Sequence, residues 1–202
     1  MASTASPQGF LPKNLIGGQP FAGSTRMLPI ASAYGTSIFY GDAVKLINTG
    51  FIIKDTGTTT MAPVGIFLGC QYTDSTYGFT TRQMWTASTV PANSESAIAF
   101  VADDPDLVMQ IQASAALTQA ALGLNAAVVQ GAGSTITGDS RVSLSASSVA
   151  DTNTLPLRIV GFVGGSPYGE NCIVPTDSFP EVLVKWNFGM HQYERALGAQ
   201  AS

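Results

Sequence analysis

The stretch FIIKDTGTTTMAPVGIFLGCQY, residues 51–72, places two apolar runs on either side of Asp55-Thr56-Gly57. Asp-Thr-Gly is the tripeptide that carries the catalytic carboxylate in aspartic proteases, and it is also a string of turn-forming residues. The chemistry separates the two readings. An aspartic protease needs two carboxylates sharing one proton, because like charges held close together push one pKa up and leave an acid beside a base. A chain with one such motif would act only as a dimer. No second Asp-Thr-Gly or Asp-Ser-Gly occurs in the sequence, Lys54 directly precedes the Asp, and Thr58 stands where a small Ala or Ser is usual. The turn reading accounts for the same residues more simply. Phe51-Ile52-Ile53 forms one short strand, Asp-Thr-Gly turns the chain, and Pro63 to Leu68 begins the next strand. The protease through Asp55 is retained only as a remote alternative.

Outward from this hairpin the pattern repeats. RMLPIA, DAVKLI, FTTRQMW, AIAFVA and DLVMQIQ are short apolar runs separated by Gly, Pro, Asn and Asp, and AAVVQG, RVSLSA, PLRIVGFV and EVLVKW continue the series. Many short β-type runs at close spacing predict an all-β barrel or sandwich of antiparallel strands. Val108 and Ile111, and Ile66 and Leu68, read as sheet core. Helical signals are few: SAALTQAALGLN, residues 114–125, with Gly123 placed to end a short helix, and MHQYERALGAQ near the C-terminus. Residues 129–140, VQGAGSTITGDS, are Gly-rich but lack the spacing of a phosphate-binding loop and precede a strand-like run, so they are expected to form a surface loop. The expected organisation is an extended N-terminal arm over 1–25, a β-rich domain over 26–188 with room for two β subdomains, and a C-terminal tail over 189–202.

A chain of 202 residues is long enough to bury roughly 70% of the surface its unfolded form exposes, without help from disulfides or metals. Only 11% of its residues are charged, against about 25% in typical domains, and its mean hydropathy is +0.22. So little charge suggests that much of the surface is covered by other subunits rather than by water. The net charge of −4 and the scatter of the basic residues argue against nucleic acid as a partner. No apolar run approaches a membrane span, and the opening MASTASPQGFLPKNLIGG lacks the features of a signal peptide. Synthesis in the cytoplasm and two reduced, buried, strand-borne thiols at Cys70 and Cys172 are therefore expected.

Candidate sites are sparse. The single histidine, His191, has no G-x-S-x-G nucleophile elbow to partner it. Asp103, Asp104 and Asp106 in VADDPDL invite a divalent-cation reading, but their spacing does not fit a calcium loop, and Pro105 favours a solvated turn. No cofactor or metal site is expected. In the N-terminal arm, Phe10, Leu11, Leu15, Ile16 and Phe21 are apolar residues set among Ser, Pro, Gly and Asn, which would permit the arm to order by lying across a neighbouring subunit.

The order of the segments resembles a known group. YGDAVKL (40–46), KDTGTTTMAPVGIFLGCQYTD (54–74), VADDPDLVMQIQASAALTQAALGLNAAVVQGAGSTITGDS (101–140) and NTLPLRIVGFV (153–163) look like the structural proteins of tailed bacteriophages of aquatic bacteria, including cyanophages. Within these, the likeness is to capsid cement or decoration proteins. The resemblance implies a β-rich protein on the outer surface of the virion capsid, a homotrimer at threefold or quasi-threefold positions that clamps neighbouring major capsid proteins, with no catalytic residues to carry over. The chain is about twice as long as the smallest decoration proteins. A tail-tube, head-completion or fibre component is the alternative, since β-sandwiches with arms serve there too.

Overall fold

A computed structural model describes residues 4–163 and 176–187. Cys172, His191, the second helical signal and the tail over 189–202 lie outside the described residues.

The fold is all-β, built of antiparallel sheets. Strands β1 (Leu11–Leu15), β2 (Arg26–Ile30), β3 (Ala43–Leu46), β4 (Ile52–Lys54), β5 (Gly65–Asp74), β6 (Gly78–Arg82), β7 (Ala97–Ala102) and β8 (Leu107–Gln112) come first. They are followed by β9 (Asn125–Ala126), β10 (Val128–Val129), β11 (Ser143–Leu144), β12 (Leu157–Phe162) and β13 (Glu181–Trp186). One sheet runs β1-β8-β13-β12-β9; a second runs β2-β7-β5-β3-β4, with β6 added to the outer half of β5; β10 and β11 form a short ribbon.

The second sheet is a wall between two cores, because its residues alternate sides as a pleated strand requires. Ile66 of β5, Ala43 of β3 and Ala102 of β7 enter the core shared with the first sheet, where Phe10, Met109, Leu157, Phe162 and Trp186 are buried. Their neighbours Phe67, Val44 and Val101 point the other way, into a core closed by Ile30, Ile38, Ile52 and Trp85. Each buried side chain of this size contributes about 1.5–3 kcal/mol by leaving water. Close approach of the strands constrains single positions: a Cβ on Gly65 would lie 2.3 Å from the Ala102 carbonyl oxygen. At Gly69, φ +135° accompanies a β-bulge between Phe67 and Cys70.

Two expectations differ from the structure. Inside the predicted arm, Leu11–Leu15 form an edge strand against β8, with Leu11 opposite Gln110 and Leu15 opposite Leu107. The chain then turns at Gly18 and Phe21 returns to donate its N–H to the Lys13 carbonyl, so residues 11–21 double back on their own domain. Over 114–125 only a 3-10 turn forms, at Gln119–Ala121. The good helix formers there are overruled because both ends are tied into sheets: Ser114 N–H donates to Leu144 O, and Gly123 N–H to Ile159 O.

Candidate functional site

Asp55 follows β4 directly and is 2% exposed. Its Oδ1 accepts the Gly57 N–H at 3.0 Å and its Oδ2 accepts the Ala62 N–H at 2.8 Å, so one carboxylate closes both ends of the Thr56–Met61 loop. Lys45 Nζ lies 4.0 Å from Oδ1. The side-chain amide of Gln130 donates to the carbonyls of Asp55 and Gly57, fastening the Gly-rich segment to the same loop. Both carboxylate oxygens therefore serve the backbone.

A second buried carboxylate lies next to β3. Asp42, fully buried, accepts the Ser140 hydroxyl on Oδ1 at 2.7 Å and the Phe39 N–H on Oδ2 at 2.9 Å. Lys54 Nζ approaches Oδ2 at 2.8 Å and lies 5.6 Å from the centre of the Phe39 ring. The Lys54 side chain borders an open concavity of about 420 Å³ with Thr36, Ser37 and Gln130, but its charge is committed to Asp42. The predicted surface loop 129–140 packs over this region: a Cβ on Gly133 would overlap the Phe39 ring at 2.2 Å.

The acidic cluster is divided among separate partners. Asp103 pairs with Arg26 Nε at 2.7 Å, Asp106 with Lys185 Nζ at 2.6 Å, and Asp104 Oδ1 accepts the Asp106 N–H within the turn. Among the described residues no group of three His, Cys, Asp or Glu is arranged to hold a metal ion. No helix among them is long and apolar enough to cross a membrane. Cys70 is a buried free thiol on β5, and desolvation pushes its pKa from 9.0 to about 12, opposed by the Arg82 charge.

The N-terminal apolar residues separate into three kinds. Phe10 is fully buried and packs its ring 4.8 Å from that of Trp186. Leu11 and Leu15 are half-buried on β1, and Leu15 and Phe21 pack against the first core. Ile16 alone among these five is exposed, at 54%. Phe10 thus belongs to the domain's own core and is not free to meet another protein.

The largest exposed apolar side chains lie elsewhere. The β5–β6 hairpin turns through Ser75–Tyr77 with Gly78 at φ +74°, and Asp74 Oδ1 accepts the N–H groups of Thr76 and Tyr77. Those two backbone donors, with the Arg82 charge adding to them, hold the exposed Asp74 carboxyl below the usual carboxylate range. Tyr77 is 77% exposed and Phe79 70% exposed. Where β6 ends, Arg82, Gln83 and Met84 face Thr135–Gly138 across a groove of about 370 Å³, and Ile136 on its far wall is 95% exposed. Sequence reading did not single out these residues, since FTTR reads like any strand and exposure is decided by what packs around it. Comparison with protein-family models, with curated proteins and with solved structures finds no match.

Proposed function

We propose that the chain is a capsid cement or decoration protein, bound to the outer surface of an icosahedral phage head as a homotrimer and holding neighbouring major capsid proteins together. The reading is supported most directly by one physical combination. A chain with only 11% charged residues turns Tyr77, Phe79 and Ile136 outward along one hairpin and the groove beside it. Apolar side chains gathered on a surface are the material of protein contacts. The resemblance in segment order supplies the kind of particle in which such contacts would be made.

Cement work fits these contacts energetically. Each contact of a bound trimer can be modest, because a detached contact stays near its site while the others hold. Of the residues expected to carry the capsid contact, Phe10 is spent on the domain's own core, Ile16 is exposed, and Leu11, Leu15 and Phe21 are part-buried. The test is binding of the purified chain to heads from which it has been removed. Wild type should restore occupancy and raise the temperature at which heads release DNA, and Phe79→Asp or Ile136→Glu should lower occupancy while leaving the fold intact. Full occupancy by both variants would contradict the contact assignment, and failure of wild type to bind would contradict the function.

A further inference from the structure

A sheet edge left open is a template for another strand, and proteins usually blunt such edges with proline, brevity or cover. Most edges here are blunted. β1 carries Pro12 and a register shift, β2 carries Pro29, β4 is three residues long and β9 is two. β6 differs: five residues, Gly78–Arg82, contain no proline, are mostly exposed, and among the described residues pair with β5 alone.

We propose that β6 pairs antiparallel with β6 of a second copy of this chain about a twofold axis at Thr80. Its chemistry is self-complementary. Strands pair with full overlap when Gly78 lies opposite Arg82 of the other copy, Phe79 opposite Thr81, and Thr80 opposite itself. Residues directly opposite share a face of the sheet, so Asp74, opposite Gly78 within the hairpin, and Arg82 of the other copy lie on one face two strand spacings apart, about 10 Å. Gly78 has no side chain to obstruct the space between them, and an extended arginine can cross it to the carboxylate oxygen Oδ2. Arg82 has no ion pair among the described residues. By symmetry the pair forms twice.

The same register disposes of the exposed apolar groups. An antiparallel pair brings the hairpin tip of each copy to the end of the other's β6, where the groove lined by Gln83, Met84 and Ile136 lies. Tyr77 of one copy meets that groove in the other, covering Ile136. A twofold contact uses one patch on both subunits, and this patch holds both the aromatic tip and its receptor. The contact shares Tyr77 and Ile136 with the capsid reading but is tested without heads; on a capsid it would join neighbouring trimers rather than build one.

The experiment is sedimentation equilibrium of the purified full chain, with no heads present. Wild type should show a concentration-dependent twofold association that weakens with salt. Arg82→Glu should raise the dissociation constant roughly tenfold or more, because like charges then face each other at two places. In a Cys172→Ser background, Thr80→Cys should form an intermolecular disulfide under mild oxidation much faster than Ser75→Cys, since only position 80 lies on the axis. A wild-type monomer at every concentration would overturn the proposal. So would association, dimeric or trimeric, that Arg82→Glu leaves unchanged, or equal cross-linking at positions 75 and 80. Because heads are absent, failure here leaves the decoration test intact, and the reverse holds.

Discussion

Asp42 and Asp55 are separated by one strand pair, and both are held by backbone donors and lysines, yet they differ in what a substitution should cost. Lys54→Met leaves the fully buried Asp42 carboxylate without its cation and should destabilise the fold by about 3 kcal/mol, read as a lower urea midpoint at unchanged slope. Asp55→Ala removes the acceptor of two backbone N–H groups and should cost about 2–3 kcal/mol, with Asp55→Asn costing less because one acceptor remains. The turn role of Asp55 also expects the same peptide-cleavage baseline in wild type and Asp55→Asn; cleavage lost only in the variant would assign the residue to catalysis. Cys70 supplies a pH signature. Its folded-state pKa is raised, so the stability it contributes is complete below pH 9.0, where the unfolded thiol is also protonated, and is lost as pH rises towards about 12. Between these values thermal stability should fall more steeply in wild type than in Cys70→Ala. In the native state at pH 8, Cys70 should resist alkylation that proceeds in urea.

At the scale of elements, what could be read and what could not follow from where the determining contacts lie. AIAFVA and DLVMQIQ became β7 and β8 at the positions expected, because VADDPDL puts turn residues between two runs of sheet-forming residues, a signal carried entirely by neighbours in sequence. β1 escaped because LPKNL contains a proline, a lysine and an asparagine in five residues, and its pairing with β8 is made across nearly a hundred positions. The Asp55 turn was legible only in part: Oδ1 accepts the Gly57 N–H two residues on, but the two runs that flank it do not form a hairpin, because β3 lies between β4 and β5. The exposed hairpin was not, since burial of Tyr72 and exposure of Phe79 are set by which face of the sheet the second core occupies. Two substitutions test this organisation. Gly65→Ala should cost about 3 kcal/mol, because its Cβ meets the backbone of β7, which cannot swing aside. Removing residues 1–16 should lower the melting temperature and expose apolar surface to a dye, since Phe10 and β1 go together; a free arm would leave both unchanged.

At the scale of the whole molecule, the described residues form two cores sharing one sheet, with open β edge and exposed aromatic side chains concentrated on the β5–β6 hairpin. The low charge and the apolar runs that suggested an assembly were visible in the sequence; which apolar side chains stay exposed required the fold. Cryo-electron microscopy of purified virions that carry this chain tests the cement reading most directly. Copies on the outer shell at threefold and quasi-threefold positions, with Tyr77, Phe79 or Ile136 buried against neighbouring subunits, are expected. Copies confined to one vertex, the tail or a fibre, or none in the particle, would contradict it.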